Sequence, residues 1–188
     1  MQQNCLLNEF NRKFAPLASI AEGAPIEFLV NGADQLYLDL NDSRLHLRVK
    51  MPKADGTNMT AATRAIINLP LHSLFREVSV ELNGRSVSDP NQMYLYQTYL
   101  ETLLNYSKET QETRLLTEGW VRDTANQMAV TAANGDNRGL ATRATMFAES
   151  KTVELVGRPH VQVFQQDRLI PPGVDLHMKL VPVANTFV

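Results

Sequence analysis

Apolar and polar positions alternate with a period of two along much of the chain, the spacing that turns successive side chains to opposite faces of a β-strand. The clearest case is residues 45–51, where Leu45, Leu47, Val49 and Met51 share one face and His46, Arg48 and Lys50 the other. Residues 25–30 form a short apolar run stopped by Asn31-Gly32, and residues 36–40 set Leu36, Leu38 and Leu40 against Tyr37 and Asp39. A β-branched run at 64–69 reads as a further strand. Residues 78–82 alternate again and meet 85–87 across Asn83-Gly84, a pair suited to the positive φ angles of a type I′ hairpin turn. Toward the C-terminus, 152–157, 161–164 and 174–183 complete the β pattern, with Leu176, Met178 and Leu180 facing inward.

The period changes once. Ser88-Asp89-Pro90 supplies a capping side chain and a proline for a first helical turn. From Gln92 to Tyr106 the residues Met93, Tyr96, Leu100 and Leu103 recur at spacings of three and four, broadened by Tyr99, Leu104 and Tyr106. This predicts a helix of about 15 residues, within the usual range. The polar stretch 108–114 extends it or starts a second short helix, and 120–143 shows no clear period. The sum is about eight short strands in an all-β, antiparallel sandwich or barrel, interrupted by a mostly helical insertion at about 89–149. Residues 1–20 are expected to form an N-terminal arm and 21–188 a single domain.

Composition narrows the function classes. The 188 residues are 44% hydrophobic and 20% charged, close to a globular average. A formal charge of −2 leaves no basic excess for nucleic acid. No run approaches the roughly 20 apolar residues of a membrane helix, and the N-terminus has neither the basic nor the apolar region of a secretion signal. Cys5 is the single cysteine, so no intrachain disulfide or cysteine zinc cluster is expected.

Searches for chemistry return nothing positive. Phosphate-binding glycine loops and nucleophile elbows are missing. His46 and His177 fall on polar strand faces. His72 lies in a short apolar turn, where it is expected to make one internal hydrogen bond, and His160 follows Arg158-Pro159. No histidine has a neighbouring carboxylate or histidine at metal-ligand spacing, so no catalytic residue, metal or cofactor is expected. Four of the five tyrosines gather at Tyr94, Tyr96, Tyr99 and Tyr106. The Tyr96 and Tyr99 face is assigned to the domain's own core, and Tyr94 to a contact surface. Tyr94, Trp120 and Met128 are the subunit-interface candidates, large residues without an evident place in a periodic core.

Particular strings carry a resemblance. Pro25-Ile26-Glu27-Phe28, Tyr37-Leu38-Asp39-Leu40 and Leu45-His46-Leu47-Arg48-Val49-Lys50 are followed by Asn68-Leu69-Pro70-Leu71-His72-Ser73-Leu74-Phe75 and Val78-Ser79-Val80-Glu81-Leu82-Asn83. Tyr99-Leu100-Glu101-Thr102-Leu103-Leu104-Asn105-Tyr106, Ala148-Glu149-Ser150-Lys151 and Val156-Gly157-Arg158-Pro159-His160 continue the series. Together they resemble the major capsid protein of Polinton (Maverick) elements and adintoviruses. The resemblance implies the N-terminal half of a double jelly roll, here one antiparallel eight-stranded jelly-roll sandwich. It also implies a non-enzymatic capsid protein that assembles with itself, as a homotrimer or larger, and with other capsid proteins, located in the virion. A second jelly roll would be expected after Val183, where this sequence has only five more residues. A jelly-roll protein binding a ligand or carbohydrate, and a domesticated capsid-derived protein, are the alternative functions.

Overall fold

The computed structural model describes residues 11–32, 36–53, 55–60, 65–89, 92–133 and 135–183. The antiparallel β1 (Ile26–Val30) and β6 (Leu176–Pro182) pair from Ile26↔Leu180 to Val30↔Leu176. On its other side β6 pairs with β3 (Phe75–Leu82), and β3 closes a hairpin with the two-residue β4 (Arg85–Ser86). The sheet order is therefore β1-β6-β3-β4. The hairpin turn is the expected one: Asn83 and Gly84 both take positive φ, 48° and 74°. A separate two-stranded sheet joins β2 (Leu45–Val49) to β5 (Val153–Gly157). Ile26, Val78, Val80, Leu176, Met178 and Leu180 from the first sheet pack with Leu45 and Leu155 from the second, and the apolar cluster so formed is the main core.

This is not the eight-stranded jelly roll expected from the sequence. Among the described residues there are six strands in sheets of four and two, together with four α-helices. Three predicted runs fail as strands, each for a local reason. Residues 36–40 reach a partner through a single bridge, Leu38↔Ile170. Between 65 and 69 the backbone is claimed by side chains: Arg143 Nε donates to the Ile66 carbonyl, and the Leu69 N–H donates to Asn68 Oδ1. Residues 161–164 coil instead, with the Phe164 N–H returning to the Val161 carbonyl at the start of the 3₁₀ turn Gln162–Gln165.

Between β4 and β5 lie α2 (Tyr94–Asn105), α3 (Lys108–Glu112), the 3₁₀ turn Arg114–Glu118 and α4 (Arg138–Met146). The short α1 (Pro70–Ser73) precedes β3, entered through Leu69 in the left-handed region at φ 57°. The capping role given to Ser88-Asp89-Pro90 falls partly on Pro90, outside the described residues, as does Cys5. The expected core face of α2 divides: Tyr99 packs against Leu69, Leu115 and Trp120 as expected, and Tyr96 is exposed. Tyr94, Leu95, Thr98 and Thr102 are its buried residues, while Tyr96, Leu100, Leu103 and Leu104 face solvent.

Candidate functional site: a buried histidine–glutamate cluster

Three chain segments converge behind α2. α1 carries His72, the end of the 3₁₀ turn Arg114–Glu118 carries Glu118, and the loop after β5 carries His160; all three residues are buried. His72 sits in α1 because Pro70 occupies the first helical turn, and Leu71, which has no exposure at all, pins that turn to the core. Glu118 is seated by a missing side chain. A Cβ on Gly157 would stand 2.4 Å from the Glu118 Cγ, so only glycine leaves room for this carboxylate against β5. Gly157→Ala is accordingly expected to cost about 1–3 kcal/mol by overpacking, read as a lower urea midpoint at unchanged slope.

The hydrogen bonds order the cluster. His72 Nε2 is 3.2 Å from Glu118 Oε2, and His72 Nδ1 is 2.9 Å from the Tyr94 hydroxyl. That hydroxyl also accepts from the His160 backbone N–H at 3.1 Å. The Glu118 carboxylate oxygen accepts, so the His72 ring proton lies on Nε2 and His72 Nδ1 accepts from the Tyr94 hydroxyl. His160 Nδ1 donates to Glu101 Oε2 at 2.9 Å, and Gln97 holds the other Glu101 oxygen at 2.9 Å. Burial pushes the His72 imidazole below its ordinary range and keeps it neutral, against the opposing pull of Glu118. Burial also pushes the Tyr94 phenol far up, while the hydrogen bond from His160 holds Glu101 below the usual carboxylate range. One ligand atom from each of His72, Glu118 and His160 lies within 4.8 Å of the other two, so these residues are a possible metal set. A cavity of about 80 Å³ borders Tyr94 and His160.

The three interface candidates separate. Tyr94, at 5% exposure, and Trp120, at 2%, are buried within the chain, which removes the premise on which each was nominated. Tyr94 belongs to the cluster above. Trp120 packs on Leu69 and Leu115, with its ring 5.5 Å from Tyr99. Met128 is 68% exposed. Sequence spacing could not find the cluster, because His72 and Glu118 are 46 positions apart. The one available signal was polar residues in apolar surroundings, such as His72 between Leu71 and Leu74.

No family model matches this chain, and no solved structure matches it. Among curated proteins it is similar to the uncharacterized protein F54H12.2 of Caenorhabditis elegans, 24% identical over 149 residues. That match covers 75% of this chain and 35% of the relative, so the chain spans about a third of the relative's length.

Proposed function

We propose that the chain is a structural subunit of a virus-like shell of the Polinton and adintovirus kind, joining further copies of itself in the virion. One observation carries this reading: the outer face of α2 is apolar. Tyr96 is 54% exposed, Leu100 55% and Leu104 80%, with Leu103 beside them, while the buried face is mixed, with Tyr94, Leu95, Thr98 and Thr102. A helix normally buries its apolar stripe, and exposed contiguous apolar surface marks a contact site. The occupant is a second copy, since a shell repeats one contact around its symmetry axes. The resemblance of the strings from Pro25 to His160 supports the same reading. It concerns the subunit role and not the jelly-roll fold, which this chain does not adopt. Such a role needs no catalysis. Among the described residues no helix is long and apolar enough to cross a membrane.

The test is native mass by light scattering on a sizing column at several concentrations. The wild-type chain is expected to run as a trimer or larger. Leu100→Asp combined with Leu104→Asp is expected to run as a monomer with an unchanged far-UV spectrum, because both side chains face solvent. A wild-type chain that stays monomeric throughout, or a double variant that assembles as well as wild type, overturns the reading.

A further inference from the structure

We infer that His72, Glu118 and His160 form a binding site for a divalent transition-metal ion of the zinc class, stapling α1, the 3₁₀ turn Arg114–Glu118 and the loop after β5. This site is independent of the assembly surface on α2. Two imidazole nitrogens and one carboxylate oxygen are a donor set that suits zinc. All three residues are buried, and their ligand atoms already lie within 4.8 Å of one another. Tetrahedral ligands at zinc distances stand about 3.3 Å apart. The His72 Nε2 to Glu118 Oε2 separation of 3.2 Å meets that spacing as it stands.

The surrounding shell fits the same purpose. Metal-bound histidines direct the remote ring nitrogen to a carboxylate or other acceptor, which fixes the ring and its tautomer. His160 does this through Nδ1 to Glu101, itself held by Gln97, and so keeps Nε2 as an unprotonated ligand atom. His72 Nδ1 faces the Tyr94 oxygen. Ligation through His72 Nε2 moves the ring proton to Nδ1, and the Tyr94 hydroxyl turns from donor to acceptor there, so the ring stays neutral.

A histidine flanked by two carboxylates elsewhere does not match this one. His177 stands 3.3 Å from Glu27 and 3.9 Å from Glu81, but all three side chains are about a third exposed or more, and water competes there. His177 therefore serves as the control.

The experiment uses the full chain, freed of any affinity tag, stripped with chelator and equilibrated with zinc sulfate alone. After desalting, metal is counted by elemental analysis and thermal unfolding is followed with and without zinc. The wild-type chain and His177→Gln are expected to retain about one equivalent and to unfold at a higher temperature with zinc than without. Glu118→Gln preserves shape and a hydrogen bond to His72, and is expected to fold yet lose both effects, as is His160→Asn. Glu101→Gln is expected to weaken binding about 10- to 100-fold by loosening the hydrogen bond that orients His160. Should His160→Asn fail to fold, the two glutamate variants decide. A wild-type chain that keeps no zinc and shows no thermal shift overturns the site. So does a Glu118→Gln chain that keeps as much as wild type.

Discussion

Arg143→Met is expected to lower the free energy of unfolding by about 3–5 kcal/mol, the cost of breaking a buried ion pair from one side. Arg143 is buried in α4, and its guanidinium spends its donors on three separate groups. Nε donates to the Ile66 carbonyl, one terminal nitrogen to the Val121 carbonyl at 2.7 Å, and the other to Asp123 Oδ1 at 2.9 Å. Methionine fills much of the same space but donates nothing. Two backbone carbonyls lose a charged donor, and Asp123, whose side chain is only 12% exposed, keeps among the described residues just its hydrogen bond from Asn137. Domains are stable by about 5–15 kcal/mol in total, so this single change removes a large share. Trp120, the sole tryptophan, is buried and reports the urea transition by its fluorescence. Adding Asp123→Asn removes the stranded charge, and the double variant is expected to lose less than the sum of the two single ones. A midpoint for Arg143→Met within error of wild type would sink the account.

Trp120→Ala is expected to be about as damaging, at about 3–5 kcal/mol, because it empties the centre of a small separate core. Leu69 and Leu115 are almost wholly buried against the indole, and Tyr99 and Tyr106 pack from α2 and its end. The indole N–H finds no hydrogen-bond partner among the described residues. Trp120→Phe therefore keeps most of the apolar contact while removing an unsatisfied donor, and a much smaller loss is expected. Met128→Ser, at an exposed site in the same stretch of chain, should stay within about 0.5 kcal/mol of wild type. Circular dichroism in urea ranks the three. A cost for Trp120→Ala as small as that for Met128→Ser would contradict the packing described.

Where apolar side chains alone decided the structure, the alternation in the sequence was enough to read it. β1, β2, β5 and β6 fall within predicted runs, β3 contains the predicted run 78–82 and begins three residues earlier at Phe75, and the Asn83-Gly84 turn forms as its residue types require. The failures share a different cause. Residues 65–69 look like a strand by composition, yet Asn68 binds Val121 through both its amide nitrogen and its oxygen, so a side chain does the work of a neighbouring strand. α4 was invisible because its buried face consists of Gly139, Arg143 and Ala144, which leaves no apolar stripe to detect. Gly139 belongs there because any Cβ would collide with the Arg122 carbonyl. In α2 the stripe was plain but its direction was not, since periodicity locates an apolar face without saying what covers it. The histidine–glutamate cluster was beyond reach for a simpler reason. Its members come from separate elements, and linear spacing carries no trace of them.

The strand order of the larger sheet also bears on the timing of folding. Among the described residues β6 is the last of six strands, yet it lies between β1 and β3 and supplies the only ladder that joins them. Until it has been synthesised, Ile26 has no strand partner, and the β3 edge later matched to Leu180 and Met178 stays open. The sheet can therefore close only after residues up to Pro182 have emerged, through pairings as distant as Ile26 with Leu180. Such non-local closure slows folding and prolongs the exposure of unpaired strand edges. A nascent chain that lacks β6 can form the β3–β4 hairpin, while β1 waits for its partner.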